Sequence, residues 1–465
     1  MTRGRRAWAV RGRSRAVRLS RTLLRVGCRL RSPALVALAW SLGTGPIEQH
    51  LADGRSPRTP GGDDDRRHRR RPRRIVVLPK AGGTEDVRDA ADAAAPGDGL
   101  ELCGLSRDHV KVVFEAIVGD ATFPSLTDSD YRVGDTVVAE DKARYRRFLV
   151  RVVRRYARRL RVAGFVTANL GYRAERELAA ACVAAGVGFV ALHKESIRTA
   201  AQREHFTRAY RDLLGPFEGS RIGVYNADER ASIVRAGMAP DDRVEVVGCP
   251  RMDRLHRIRE QRDGRGSGSD APVVLFSIDV RAGVWTPYDA REDVPSPRWE
   301  RLAALTDEAF VAAARSMPDR RFVIKVKIGR EQQLARLPGQ LPPNLHVATS
   351  GIGTALLEEA AVVVGFNSTV LLEALAVGVP TLVPHYAEAA SPAADGWVFD
   401  LSGAVDQVPS PEALEPAIRG ALGRGPSVEL TDAAIAALDR YVGNADGRAS
   451  ERAWSLLRAS FSRPR

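Results

Sequence analysis

The sequence has few cysteines and no apolar run long enough to cross a membrane. Its four cysteines, among 465 residues, are widely separated and show no CxxC or metal-ligand spacing. They are Cys28, Cys103, Cys182 and Cys249. A membrane-spanning helix needs about 20 apolar residues, whereas the longest apolar run near the start, "PALVALAW", has eight. We therefore expect reduced thiols, no structural zinc and a cytoplasmic location.

Several catalytic signatures are also absent. The sequence contains no G-x-S-x-G, no Walker sequence and no G-x-G-x-x-G after a first strand, which disfavours a hydrolase, a kinase or a dehydrogenase. The segment "DSD" at Asp128 to Asp130 mimics a metal-binding D-x-D, but Pro124 and Thr127 beside it favour a turn. We predict no essential metal and no cofactor.

The positive charge is concentrated at the N-terminus. Residues 1–74 contain 20 Arg, no Lys and five acidic residues, a net charge of +15, so the remaining chain carries −1 of the total of +14. A nucleic-acid enzyme more often carries its basic surface on the folded domain, with aromatic residues or reading motifs beside it. The sequence predicts no nucleic-acid partner.

A basic amphipathic helix is predicted within "RAVRLSRTLLRVGCRLR". Apolar residues recur at helical spacing and arginines flank them; they are Leu19, Leu23, Val26 and Leu30, with Arg18, Arg21, Arg25 and Arg29. Such a helix suits peripheral docking on an anionic surface, here the inner face of the plasma membrane. The alternatives are a disordered tail or a start codon placed too far upstream. We expect residues 1–74 to be largely disordered apart from this helix.

The remaining chain alternates short apolar runs with amphipathic segments. Predicted strands include "RRIVVLPK", "KVVFEAIV", "GFVTAN", "GFVALHKE", "PVVLFSI", "RFVIKVK" and "AVVVGFN". This alternation predicts an α/β protein with two doubly wound, Rossmann-type domains that face a cleft, the GT-B-like architecture. We place the N-terminal acceptor domain at 75–255, a linker at 256–271, the nucleotide-donor domain at 272–425 and C-terminal helices at 426–465.

The stretch "VVVGFNSTVLLEALAVGVP" predicts a nucleotide site. The strand stops at Asn367, Ser368 and Thr369, and the helix that follows ends at Gly378. The free N–H groups at the start of that helix suit a pyrophosphate. Glu373 lies about one and a half turns further on, where its carboxylate can accept the hydroxyls of a ribose. The alternative is that the hydroxyl residues only cap the helix and Glu373 is a solvated helix residue.

Three segments carry a family resemblance: "NSTVLLEALAVGVPTLV", "VVGCPRMDRL" and "YVGNADGRASERA". They resemble surface carbohydrate and capsule polysaccharide biosynthesis proteins of the GT-B type, and "GCPRMD" is similar to the GxPRxD segment of CDP-glycerol glycerophosphotransferases. The resemblance implies that Ser368 and Thr369 bind a nucleotide diphosphate and that Glu373 binds its ribose. This sequence differs from the patterns of related enzymes at two positions. Gly365 stands where the E-x7-E pattern of many GT-B glycosyltransferases has its first glutamate, and Lys327 stands where the K-x-H-P pattern has histidine.

Further site residues are predicted from strand ends. His193, Lys194 and Glu195 follow the strand "GFVAL", and we expect them to supply a base, either His193 or Glu195, and a cation for catalysis. The alternative for His193 is a structural role at the end of the strand. Lys325 ends another strand and could neutralise phosphate. Arg251 and Asp253 are expected to line the cleft near the hinge, and the alternative for this pair is a salt bridge that fixes the linker.

These observations predict a transferase that moves a sugar, or a polyol phosphate, from a nucleotide-activated donor onto a surface polysaccharide. Its expected partners are a nucleotide-sugar donor and a glycan or lipid-linked acceptor. Two alternatives stay open. One is an isomerase similar to UDP-sugar 2-epimerases, and the other is a non-catalytic nucleotide-sugar-binding protein.

Overall fold

Two separate, mainly parallel β-sheets organise the chain. The structure, a computed structural model, describes residues 16, 18–47, 72–94, 99–119, 122–128, 130–131, 136–262, 270–286, 296–351 and 353–462. Within these ranges no helix combines the length and the apolar character that a bilayer crossing requires. All four cysteines are buried and none forms a disulfide.

The N-terminal sheet has seven strands in the order β1-β3-β2-β4-β5-β6-β7. They are β1 (Thr44–Gly45), β2 (Arg73–Val77), β3 (Leu100–Leu105), β4 (Val162–Thr167), β5 (Gly188–His193), β6 (Arg221–Val224) and β7 (Val244–Val246). Only β1 runs antiparallel to its neighbour, β3. The central strands are apolar on both faces because helices cover both sides of the sheet.

The described part of the N-terminal half and the hinge contains nine α-helices. They are α1 (18–29), α2 (Pro33–Gly43), α3 (Gly83–Asp92), α4 (Arg107–Val118), α5 (Thr136–Leu160), α6 (Arg173–Ala184), α7 (Ala200–Ala209), α8 (Ala227–Arg235) and α9 (Asp253–Glu260). The prediction of a strand at "KVVFEAIV" is wrong, because these residues lie in α4. Val110, Val113, Phe114 and Ile117 recur at helical spacing and are buried together.

Residues 18–47 belong to the N-terminal domain, whereas we predicted that domain to begin at residue 75. Helix α1 buries Leu24 and Cys28, and α2 buries Val36 and Trp40, all in one apolar core with α4 and α5. The Trp40 and Tyr156 rings meet edge to face at 5.7 Å. The physical reason is that α2, the "PALVALAW" segment, is too apolar to remain in water. Residues 48–71, part of the N-terminal stretch that we expected to be disordered, lie outside the described residues.

The C-terminal sheet has six parallel strands in the order β10-β9-β8-β11-β12-β13. They are β8 (Val273–Phe276), β9 (Phe322–Lys325), β10 (Leu345–Ala348), β11 (Val362–Val364), β12 (Thr381–Pro384) and β13 (Asp406–Val408). The helices of this half are α10 (Glu300–Ser316), α11 (Gly353–Glu359), α12 (Thr369–Val377), α13 (Leu414–Arg424), α14 (Asp432–Val442) and α15 (Ala449–Phe461). The predicted linker at 256–271 begins inside α9, and residues 263–269 lie outside the described ranges.

Helix α15 returns to the N-terminal domain and covers one face of its sheet. Its side chains Leu456, Leu457 and Phe461 share an apolar core with β2, β4 and β5. The Phe461 ring lies over Gly164, where an added Cβ would stand 2.0 Å from Cε1 of the ring. Two Rossmann-type domains joined by such a return confirm the predicted GT-B-like fold class.

Candidate functional site

The start of helix α12 lies where the C-terminal strand β11 ends. Ser368 caps the helix, because its Oγ accepts a hydrogen bond of 3.4 Å from the backbone N–H of Val370. Ser368 is half-buried and Thr369 is exposed, so the first turn faces an open surface. The predicted helix, including its end at left-handed Gly378, is present.

Asn367 organises this loop from within. Its Nδ2 donates to the carbonyls of Ala282 and Trp397 at 2.8 and 2.7 Å, and its Oδ1 accepts from the N–H of Phe399 at 3.2 Å. The residue is buried and has a positive φ of 46°, which asparagine tolerates better than most residues. The Asn367 side-chain amide therefore makes its hydrogen bonds with backbone groups of the protein and stabilises the conformation of the loop.

Glu373 lies on the same helix, partly buried, with its Oε2 3.3 Å from the Thr354 hydroxyl that donates to it. Burial raises the pKa of the Glu373 carboxyl, and the nearby positive charge of Arg251 partly counters that rise. The carboxylate consequently faces the hinge segment that connects the two domains.

Arg251 is held by the N-terminal domain. Its Nη1 donates to Asp86 Oδ2 at 3.0 Å and to the Tyr225 hydroxyl at 2.6 Å. The Tyr225 hydroxyl in turn donates to Asp86, which is almost completely buried. Glu373 of the C-terminal domain therefore lies within electrostatic range of an arginine that is hydrogen-bonded to the N-terminal domain.

Asp253 has a structural position. Its side chain is buried and accepts hydrogen bonds from the N–H groups of Ala449 and Ser450 at the start of α15. The hydrogen bonds of the Asp253 carboxylate go to residues 444–450 of the C-terminal segment, which favours a structural role over the predicted place in the cleft wall. The alternative of a salt bridge to Arg251 is also not what the structure shows, since Arg251 pairs with Asp86.

Lys325 ends β9 and is buried, with its Nζ donating to the carbonyl of Val326 at 2.8 Å. Burial lowers the pKa of its ammonium group. Strand β8 separates β9 from β11, so Lys325 stands roughly 10 Å from the end of the strand that precedes α12.

A cavity of about 370 Å³ opens beyond the carboxyl ends of the N-terminal strands. Its wall combines aromatic and polar side chains; among them are Lys80, Asn169, Tyr172, His193, Glu195, Arg198, Gln202, Phe206, Tyr210 and Trp285. Trp285 comes from the C-terminal half, and its carbonyl accepts a hydrogen bond of 3.1 Å from Gln202. The cavity therefore lies where the two halves meet, the usual place for a ligand in this kind of fold.

His193 forms the centre of a buried polar network in the cavity wall. Its Nε2 lies 3.0 Å from the Tyr210 hydroxyl and 3.3 Å from Glu229 Oε1. Burial alone would raise the pKa of the Glu229 carboxyl, but Arg198 and the hydrogen bonds from His193 and Tyr210 outweigh it and lower that pKa. Glu229 is thus a buried carboxylate that orients the imidazole. Among the described residues, His193 Nδ1 is buried without a hydrogen-bond partner.

Arg198 completes this network. Its Nη2 donates to the Tyr210 hydroxyl at 2.7 Å, and its guanidinium lies 3.4 Å from the centre of the Phe206 ring. Within the described part of the chain, its Nη1 is buried and has no hydrogen-bond partner. The buried wall therefore has one nitrogen of His193 and one of Arg198 without protein partners.

The side chains of Lys194 and Glu195, at the end of β5, extend into different surroundings. Glu195 lines the cavity, whereas the Lys194 chain runs beside the glycine-rich loop after β2, 3.5 Å from where a Cβ on Gly82 would be. Their charged groups still form an ion pair. Burial on its own raises the pKa of Glu195, and Lys194 reverses this effect and lowers it. His193 and Glu195 therefore share a cavity from which Lys194 is displaced.

Sequence reasoning missed the partners that define both parts of the site. Arg198, Tyr210 and Glu229 surround His193, and Asp86 and Tyr225 hold Arg251. The sequence contains only weak indications of these partner residues. Asp86 follows the loop after β2, and Glu229 follows the capping residue Asn226 by three positions, where a carboxylate is ordinary in a helix start.

Among the described residues, no group of three or more His, Cys, Asp or Glu side chains is placed to hold a metal ion. Asp128, from the "DSD" segment, accepts a hydrogen bond of 2.8 Å from the N–H of Arg173, the first residue of α6. Ser129 lies outside the described residues.

Comparison with solved structures finds distant similarity across most of the chain. The chain is similar to a UDP-GlcNAc 2-epimerase from Neisseria meningitidis bound to UDP-GlcNAc, at 12% identity and a TM-score of 0.44, covering 83% of this chain and 99% of that one. It is similar to the glycotransferase of kitacinnamycin, at 16% identity and a TM-score of 0.44, covering 84% of this chain and 100% of that one. It is also similar to the wall teichoic acid polymerase TagF, at 9% and 0.46, covering 96% and 98%.

No protein-family model matches the chain, and no curated protein matches it by sequence. Identities of 9 to 16% do not indicate which reaction this chain catalyses or which ligand it binds.

Proposed function

We propose that this protein is a transferase that moves a sugar, or a polyol phosphate, from a nucleotide-activated donor to the hydroxyl of a surface polysaccharide acceptor. The observation that carries this proposal is that Glu373, one turn into α12, lies close enough to Arg251 for the guanidinium charge to counter the rise in its carboxyl pKa. A carboxylate, a guanidinium and a free helix start together match the ribose and the diphosphate of a nucleotide.

The donor occupies the C-terminal side of the cleft in this proposal. The backbone N–H and the hydroxyl of Thr369, at the positive end of the α12 dipole, bind the diphosphate, and Glu373 accepts the ribose hydroxyls. Arg251 has an exposed side-chain fraction of 27%, which leaves part of its guanidinium accessible to a phosphate. Lys325 contributes positive charge from two strands away.

The acceptor occupies the cavity in the N-terminal domain. Tyr172, Phe206 and Trp285 offer flat apolar surfaces that suit the faces of sugar rings, and Glu195 and Gln202 offer polar atoms for hydroxyls. The cavity lies at the junction of the two halves, so an acceptor bound there is close to a donor held by α12.

His193 serves as the general base. With Nε2–H directed at Glu229, the lone pair of Nδ1 is free to take the proton of the acceptor hydroxyl. The acceptor oxygen forms a bond to the donor's reacting carbon or phosphorus, the bond from that atom to the nucleotide breaks, and the nucleotide leaves with its electron pair. The start of α12 and Arg251 stabilise the negative charge that develops on the leaving group.

A nucleotide panel tests the donor site. In a thermal-shift assay, the correct nucleoside diphosphate at 100 times its dissociation constant stabilises the protein by about 2.7 kcal/mol. No stabilisation by any uridine, cytidine, guanosine, adenosine or thymidine diphosphate would contradict the proposal.

Product analysis then identifies the reaction. A transferase releases nucleotide and consumes the activated donor only when an acceptor hydroxyl is supplied. Conversion of a nucleotide sugar to its epimer without an acceptor would establish the isomerase instead. Nucleotide binding with no turnover of any donor and acceptor pair would indicate a binding protein.

A further inference from the structure

The outer surface of helix α1 is unusual because it exposes several large apolar side chains to solvent. The helix packs on the domain through Ser20, Leu24 and Cys28, and the Ser20 hydroxyl donates 2.7 Å to the carbonyl of Ala39 in α2. On the other side, Leu19, Val26 and Leu30 are exposed by 51, 42 and 66%. Three of the four residues of the predicted apolar stripe are therefore exposed, whereas the fourth, Leu23, is partly buried and packs against the core of the domain.

Arginines surround this stripe. Arg18, Arg21, Arg25 and Arg29 of α1 are all exposed, and none forms an ion pair with a carboxylate of the described chain. In the sequence, the first acidic residue is Glu48, and eleven arginines precede it.

A second arginine surface lies on α5, which belongs to the same helical layer. Helices α1, α2, α4 and α5 share one apolar core on one face of the N-terminal sheet. The exposed arginines of α5 and its end are Arg147, Arg151, Arg154, Arg155, Arg158, Arg159 and Arg161. None of these seven pairs with a carboxylate in the described structure, and residues 142–174 contain no Asp or Glu.

We infer that this layer, the stripe Leu19, Val26 and Leu30 with the arginine faces of α1 and α5, docks the protein on an anionic lipid membrane. Exposed leucine and valine side chains among arginines gain free energy when they enter the acyl boundary while the guanidinium groups contact lipid phosphates. A nucleic acid would use the arginines but gain nothing from the apolar stripe. This inference concerns a surface away from the cleft and does not depend on the proposed reaction.

Vesicle flotation with the full chain tests the inference. Vesicles of phosphatidylcholine with about 30 mol % phosphatidylglycerol should bind the protein, and vesicles of phosphatidylcholine alone should not. The triple variant Arg151→Gln, Arg155→Gln, Arg158→Gln should partition onto the anionic vesicles roughly 100-fold more weakly, since each arginine near such a surface contributes about tenfold or less. Its matched control removes three exposed arginines elsewhere, by Arg243→Gln, Arg257→Gln and Arg301→Gln, and should bind like the wild type.

The apolar stripe has its own variant. Leu19→Asn, Val26→Asn, Leu30→Asn should reduce vesicle binding at least tenfold without changing the charge, because buried apolar area is lost from the bilayer. The control Ile328→Asn, Val428→Asn, Ile435→Asn changes three exposed apolar residues of the C-terminal half, away from this layer, and should have little effect.

Two results would overturn the inference. One is equal binding of the anionic vesicles by the wild type and both layer variants. The other is tight binding of a fluorescent RNA or DNA, weakened by the arginine variant and unchanged by the stripe variant, with no vesicle binding. Thermal shifts with nucleotides, measured on the same variants, keep the outcome separate from that of the proposed reaction.

Discussion

Asn444 and Asp253, which are 191 residues apart in the sequence, are joined by a hydrogen bond of 2.7 Å from Nδ2 to Oδ1. The Asn444 amide also donates to the carbonyl of Cys249 at 2.9 Å. Two of the segments that resemble polysaccharide biosynthesis proteins, "GCPRMD" and "GNADGRASERA", are thus in direct contact. Their contact fixes the start of α15 against the hinge.

Asp253→Ala should lower the free energy of unfolding by about 3 kcal/mol, because it removes a buried carboxylate and leaves the N–H groups of Ala449 and Ser450 without their acceptor. Urea unfolding measures the change. Asp432→Ala, which removes an exposed acid from the first turn of α14, is the matched control and should cost less than about 1 kcal/mol. Equal effects of the two substitutions would contradict the structural role of Asp253.

Glu373→Gln should weaken binding of the preferred nucleotide roughly 10- to 150-fold, since a charged hydrogen-bond partner typically contributes about 1.5 to 3 kcal/mol. Calorimetric titration measures the affinity. A 2′,3′-dideoxy nucleotide should bind the wild type and the variant about equally, because it lacks the hydroxyls that Glu373 is proposed to accept. Glu429→Gln on the exposed surface of the same half should leave both affinities unchanged.

The same carboxyl makes a pH-dependent contribution to the stability of the unliganded protein. Burial raises the pKa of Glu373 above its ordinary value of 4.5, so its contribution is greatest below that pH and is lost as the pH rises through the raised pKa. Glu373→Gln stays neutral throughout and should be more stable than the wild type at pH 7, with the difference shrinking toward pH 4. Thermal melts across this range measure the effect, and a variant that is less stable at pH 7 would contradict it.

His193→Asn should lower kcat by roughly 10²- to 10⁴-fold with little change in nucleotide affinity, if the imidazole removes the proton of the acceptor. Glu229→Gln should lower kcat less, because it weakens the buried hydrogen bond that orients the His193 imidazole. His346→Asn, on the exposed side of β10, is the control. Full activity of His193→Asn would return this residue to a structural role.

Gly164→Ala should destabilise the protein by about 1 to 3 kcal/mol, because the new methyl group would overlap the Phe461 ring. Phe461→Leu should recover part of this loss in the double variant, so the two changes should be non-additive in a double-mutant cycle. Gly339→Ala meets no atom within 4 Å of its new Cβ and should change the stability little. Additive effects at Gly164 and Phe461 would contradict their direct packing.

The sequence predicts the sheets well because most strands are short apolar runs that end at Gly, Pro or a polar cluster. "KVVFEAIV" misled the prediction, since eight mostly apolar residues fit a buried strand as well as one face of a helix. Its true pattern includes Val110 and Phe114, and the missed strand β3 lies just before it as "LELCGL".

The candidate site is predictable only where one segment contains all the relevant groups. Ser368, Thr369 and Glu373 belong to one strand-helix unit, so their spacing is visible in the sequence. The partners of Arg251 are not visible in the sequence, because Asp86 is 165 residues away and contacts Arg251 only in the folded domain. The partners of Asp253 are not visible for the same reason, since Ala449 and Ser450 reach it through the path of α15.

Because α15 follows the C-terminal domain in the chain but packs on the N-terminal domain, the two halves cannot simply be produced as separate fragments or exchanged at a single junction. A fragment that ends at residue 262 would leave the core shared by β2, β4 and β5 open to water where Leu456, Leu457 and Phe461 now lie. A chimaera with a different C-terminal half should therefore replace only the segment between about residue 270 and the end of α14, and keep native residues 449–461 with the N-terminal half. The exchangeable part of the C-terminal half is therefore an internal segment of the chain, and the residues on both sides of it pack in the N-terminal domain.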